Sequence, residues 1–171
     1  MKKKKENHEH IQFFKLEKIL PLIPGERGIR KTTLLFFRGE VHRVRIRSLK
    51  LRLFKKERIC VECGREGNIF CVDKMLRDSN LQNNFPYYLN LYCHNPEKGE
   101  NMILMTKDHI LPKSMGGLNI MRNFQCMCEE CNIKKNNTLR DEDIAKLNDG
   151  RKWCGKKSRE QLRIENIKIT V

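Results

Sequence analysis

Two Cys-x-x-Cys pairs, Cys60–Cys63 and Cys128–Cys131, constrain this chain more than any other feature. They lie in different halves of the sequence and together carry enough thiolates for one closed tetrahedral zinc site. A closed site leaves no position for substrate, so such a zinc is structural. It would tie the N-terminal half to the helix that follows Cys128. Gly64, directly after Cys63, suits a knuckle in which backbone amides turn toward the sulfurs. A thiol redox pair and ordinary buried cysteines are the competing readings, and two correctly spaced pairs in a basic chain favour metal. Cys126, two residues before Cys128, could compete as a ligand. Cys71, Cys93 and Cys154 stand alone and read as buried small hydrophobes.

Composition explains why a metal staple helps. Only 39% of residues are hydrophobic while 33% are charged, which limits 171 residues to a modest core. Lys and Arg number 36 against 21 acids, and a formal net charge of +15 favours a polyanionic partner, nucleic acid first. No apolar run is long enough to cross a bilayer. The Met1–Lys5 stretch resembles the start of a signal peptide, but His8, Glu9 and His10 follow in place of an apolar segment, so the chain is read as intracellular.

Along the chain, residues 1–10 read as a lysine-rich tail, and 11–23 as apolar but irregular. Leu34 to Phe37 suits a strand. The alternation Arg43-Val44-Arg45-Ile46-Arg47 puts three arginines on one strand face. A change of phase at Ser48 predicts that residue as N-cap of a helix running to about Glu57, with Leu49 and Leu53 on its buried face. Short strands are expected at 69–72, 87–92 and 102–107, the last two joined through Asn95–Gly99, with a loop over 74–86. A strand over Asn123–Met127 and a helix over 139–148 follow. A capping box at Ser158 and Gln161 and an alternating run from Ile167 to Val171 predict a last helix and strand. Three segments result: a basic N-terminal extension (1–57), a zinc-stapled core (58–137) and a C-terminal part (138–171).

Between the two cysteine pairs lies the most specific stretch. It runs Asp108-His109-Ile110-Leu111-Pro112, turns at Gly116-Gly117, passes Asn123 and ends in Cys128-Glu-Glu-Cys131-Asn132. With the upstream knuckle, it closely resembles the HNH endonucleases, the ββα-metal nucleases carrying a four-cysteine zinc site. The resemblance implies an α+β fold with a ββα-metal motif, two antiparallel strands and a helix. It implies DNA phosphodiester hydrolysis with 5′-phosphate and 3′-hydroxyl products. Residue by residue, Asp108 would be the acidic metal ligand and His109 the general base, since imidazole titrates near neutral pH. Asn123 would orient His109, and Asn132, which would open the helix, would be the second ligand. The third letter of the family name is His, so Asn132 departs from the name-giving pattern and shifts metal preference. Oxygen ligands suit Mg²⁺ or Mn²⁺. Asn136 and Lys135, with Lys134, are candidate phosphate contacts, and Arg43, Arg45 and Arg47 a candidate DNA-tracking surface. A small basic chain looks most like the phage or homing members. A monomer would nick, and double-strand breaks would suggest a dimer. The alternatives are a zinc module that binds nucleic acid without cutting it and a thiol redox protein.

Overall fold

The computed structural model describes residues 8–25, 31–75, 87–149 and 154–155. The expected helix end at Gly150, the 151–153 basic patch, the last helix and the terminal strand lie outside the described residues.

Five strands form one antiparallel sheet: β1 (His8–Lys15), β4 (Ile69–Met75), β5 (Tyr87–Asn95), β6 (Glu100–His109) and β7 (Phe124–Cys128), in the order β1-β4-β5-β6-β7. Strand β1 covers ground expected as tail and irregular chain. Its periodicity is broken by a register shift between His10 and Gln12, which hides the alternation from inspection. The β5–β6 connection is the expected hairpin, a 3₁₀ turn over Pro96–Lys98 closed by Gly99 at φ 69°.

A second, two-stranded sheet pairs β2 (Thr32–Phe37) with β3 (Glu40–Arg45). The turn between them holds Arg38 at φ 51° and Gly39 at φ 78°. Left-handed geometry at both positions matches the twist of a tight hairpin. The inner face buries Leu35, Phe37 and Val44, while Leu34, Phe36, Val41, Arg43 and Arg45 face outward. Strand pairing stops at Arg45, and Arg47 extends the same exposed alternation beyond it, with Ile46 buried between them.

Helix α1 is a single turn (Leu16–Ile19) leading out of β1. Helix α2 (Leu49–Lys56) begins where the phase change predicts, and the Ser48 hydroxyl accepts a hydrogen bond from Leu51 N at 3.0 Å. Its buried residues are Leu51, Leu53 and Phe54, with Leu49 half-buried. Sealing a side chain such as Phe54 from water contributes about 2–3 kcal/mol. Helix α3 (Glu129–Lys135) follows β7 directly and packs on β6 and β7. Helix α4 (Asp141–Asn148) starts two residues later than expected, after Arg140, whose backbone amide donates to Asp143 at 3.3 Å.

The main core joins the inner face of the hairpin, α2 and the large sheet. A smaller one, with Ile110, Leu111, Leu147 and Cys154, lies under the loop between β6 and β7. Inside the sheet, buried Asp73 accepts from His10, Asn90 and Tyr92. No helix among the described residues is long and apolar enough to cross a membrane.

Candidate active site

The four motif cysteines come together. Cys60, Cys63, Cys128 and Cys131 place their sulfurs within 4.8 Å of one another, and Cys63 Sγ lies 3.7 Å from Cys128 Sγ. Four sulfurs bonded at about 2.3 Å to a tetrahedral zinc would stand about 3.8 Å apart, so the donors fit that ion. Burial pushes the Cys60 thiol up, but hydrogen bonds from backbone amides of Cys128, Cys63 and Glu62 outweigh it and hold the group at about 7. Cys126 is buried outside this group, and Cys71, Cys93 and Cys154 are buried elsewhere, as the sequence suggests. Arg65 pairs with Glu100 on β6 and Glu130 on α3, clamping the first knuckle to the elements that carry the motif.

Asp108 and His109 end β6, opposite Gln125 and Phe124 of β7. Regular strand geometry turns neighbouring side chains to opposite faces. At the strand terminus both nevertheless line one pocket of about 420 Å³ together with Asn132, Asn136, Lys107 and Lys113.

The His109 imidazole is half-buried, edge-on to Phe124 with ring centroids 4.8 Å apart, and its Nε2 lies 2.9 Å from Asn119 Oδ1. With that amide oxygen accepting, Nε2 carries the hydrogen and Nδ1 keeps its lone pair. Burial lowers the His109 pKa below the ordinary value, and the nearby Lys107 and Lys113 charges add to this against the Asn119 bond and Asp108. The ring is therefore a neutral acceptor near pH 7.

Asp108 is 6% exposed. Its Oδ2 accepts from Gln125 Nε2 and faces Lys135 Nζ, each at 2.9 Å, and Oδ1 has no partner among the described residues. Asn132 donates through Nδ2 to Thr106 Oγ1 at 3.0 Å, and Thr106 donates in turn to the Met127 carbonyl. That bond leaves the Asn132 amide oxygen as the end available to a ligand. A carboxylate oxygen and an amide oxygen in one polar pocket suit a hard divalent cation that retains water. Asn132 is the fourth residue of α3 and does not open it, because Glu129 and Glu130 form the first turn.

Asn123 is wholly buried and ends a 3₁₀ turn, Met121–Asn123; β7 begins one residue later than expected. Its side chain accepts from Leu111 N at 2.9 Å and donates to the carbonyls of Leu111 and Leu118, while its own carbonyl accepts from Ile110 N. It thus fixes the chain immediately after His109. The side chain that touches the imidazole is Asn119. Gly117 packs so closely here that a Cβ would stand 1.9 Å from the Leu111 carbonyl oxygen.

Lys135 requires a correction. Expected to face phosphates, it is 3% exposed, with its ammonium 2.9 Å from Asp108, 3.6 Å from Asp143 and donating to the His109 carbonyl. Its long stem turns inward because two buried carboxylates need a cation. Lys134 is exposed, and Asn136 is exposed at the C-cap of α3 with φ 52°, on the pocket rim. Arg43, Arg45 and Arg47 are not brought to this pocket. They lie on and beyond the outer face of the β2–β3 hairpin.

Residue-type reasoning missed Asn119, Thr106 and Gln125. Each acts through a partner distant in sequence, and none sits in a spacing that would announce it.

Residues 91–148 match the family model for HNH endonuclease, so this segment of the chain is similar to an HNH endonuclease domain. The match points to a nuclease-type function, and nuclease domains of this family act on DNA. The chain has no match among curated proteins or solved structures.

Proposed function

We propose that this protein is an endonuclease that hydrolyses DNA phosphodiester bonds by a one-metal mechanism with His109 as general base. The supporting observation is the convergence of Asp108, His109 and Asn132 on one polar pocket. In this reading β6, β7 and α3 form the ββα-metal motif. The four-cysteine zinc holds it to the N-terminal half, and residues 58–137 are the nuclease core between basic extensions.

Nδ1 of His109 takes a proton from water, which attacks phosphorus in line with the departing 3′ oxygen. Asn119 keeps the ring in the tautomer that frees Nδ1, and Asn123 keeps the backbone beneath it rigid. A divalent ion, Mg²⁺ or Mn²⁺, held by Asp108 and Asn132 would supply charge stabilisation at the phosphate and the leaving oxygen. Asn136, Lys107 and Lys113 face flanking phosphates from the rim. The reduced thiolates of the zinc site suit work inside a cell.

Supercoiled plasmid is the test. Wild type should convert it to open-circle or linear forms with added magnesium or manganese, and stop with excess chelator. His109→Ala should bind DNA as well as wild type while cutting at least about a hundredfold more slowly, the scale of a lost general base. Equal cutting by His109→Ala would defeat the assignment. A wild type that binds but never cuts with any divalent ion would leave the non-catalytic zinc module.

A further inference from the structure

Apart from the nuclease pocket, the hairpin and α2 enclose a second cavity of about 450 Å³, lined by Lys31, Arg45, Arg47, Ser48, Leu49 and Arg52. Its size is on the scale of small-ligand clefts, roughly 300–1,000 Å³. Four of the six lining residues are cationic, none is acidic, and none lines the nuclease pocket.

Most surface arginines are merely solvated, and Arg45 and Arg47 alone would support no more than that. Arg52 differs. Its Nε and Nη2 are buried and have no hydrogen-bond partner among the described residues. Buried donors of a charged group that find no acceptor are costly, so native structures rarely leave them so. The two nitrogens belong to one planar guanidinium, whose fork matches the oxygens of a phosphate.

The surrounding backbone is built to hold this arrangement. The Lys31 carbonyl accepts from both Ile46 N at 3.1 Å and Arg47 N at 3.2 Å, pinning the two sides of the cavity together. Ser48 caps α2, which directs the positive end of that helix toward the same space. Its hydroxyl accepts from Leu51 N and retains its own hydrogen to donate.

We propose that this cavity is an anchor for a backbone phosphate of the nucleic acid, seated on Arg52 and flanked by Lys31, Arg45, Arg47 and Ser48. The inference rests on the reading of the chain as a protein that acts on DNA. It adds a specific contact point, separate from the cutting pocket, that sets where the duplex lies. It also divides the three arginines. Arg45 and Arg47 belong to the anchor, and Arg43 does not line it.

The test uses the full chain, a labelled duplex and no added divalent ion, with binding followed by anisotropy across a salt series. One phosphate contact contributes about 0.9 to the slope of log affinity against log salt. Arg52→Gln should reduce the slope by about that amount, and so should Arg45→Gln, whose side chain is exposed and whose loss spares the fold. The double variant should lose no more than about one contact in total, because both hold the same phosphate. Inorganic phosphate should raise the melting temperature of wild type and not that of Arg52→Gln. Circular dichroism and zinc content check that each variant is folded, and if Arg52→Gln is not, Arg45→Gln with Arg47→Gln carries the test. Unchanged slopes in folded variants overturn the anchor. Phosphate protection lost in Arg52→Gln with an unchanged DNA slope would make the cavity a free-anion site and overturn it equally. A wild type that never cuts but shows the slope losses keeps the anchor and sinks the nuclease reading; cutting with unchanged slopes does the reverse.

Discussion

Thr106 shows how much of the proposed chemistry depends on side chains that touch no substrate. Its hydroxyl sits between Asn132 Nδ2 and the Met127 carbonyl, so the amide is held in one orientation by a residue on a neighbouring strand. Partners of this kind typically control metal affinity or activity by about 10–100-fold. Thr106→Val keeps the shape and removes the hydroxyl. It should therefore raise the manganese concentration needed for half-maximal cleavage by about that factor while zinc content stays unchanged. An unchanged manganese response would show that Asn132 needs no such support. Lys135 acts at the same scale with a different outcome. Replacing it by Met leaves Asp108 and Asp143 buried without their shared cation, a change that costs about 3–5 kcal/mol in urea unfolding. Because its ammonium is sequestered, the salt dependence of DNA binding should not move. A shallower slope with intact stability would instead return Lys135 to the phosphate surface.

Helix α4 is tied to the site through Asp143. Burial alone would raise its pKa, but the hydrogen bonds from Arg140 and Gln125 and the charge of Lys135 bring it below the usual carboxylate value. Gln125 links the two carboxylates, donating to Asp108 and to Asp143 at 2.9 Å each, while Lys146 of α4 donates to its oxygen at 2.6 Å. A carboxylate with a depressed folded pKa contributes stability above its unfolded value, about 3.9, and loses it as pH falls through the folded value. Stability should thus fall as the pH drops below about 3.9, the side on which the folded carboxylate is still ionised while the unfolded one takes up its proton. Asp143→Asn should be less stable than wild type at neutral pH and should lose less over that acid window. Parallel acid curves for the two proteins would remove Asp143 from the account.

Across the whole molecule, the cysteine cluster joins the knuckle after α2 to the start of α3, and the large sheet runs from β1 to β7 through both segments. With a modest core and a charge of +15, a metal held by that cluster would cross-link the chain against its own repulsion. In small metal-stapled domains binding energy is folding energy. Dialysed protein should retain one zinc per chain by elemental analysis, and Cys131→Ser should unfold or lose most of its cooperative transition. Absence of zinc from folded wild type would sink this expectation. Retention of zinc in Cys131→Ser would point to Cys126 as a substitute ligand.

What the residues declared unaided was chemistry held in short spacings. The two Cys-x-x-Cys pairs, Asp108-His109 and Asn132 each sit where local geometry or a neighbouring motif fixes their company, and Ser48 as a cap is a property of one turn. Tertiary structure decided the rest. Strand β1 gains its place only by pairing with β4, some sixty residues away, and a bulge erases its periodicity. Asn119 meets His109 only because Asn123 ties the intervening loop down. Lys135 turned inward for the same kind of reason: whether a lysine on a short helix faces solvent or a carboxylate depends on what the fold packs beneath it. Two buried acids, one from β6 and one from α4, are visible only once strand pairing and helix docking have brought them together.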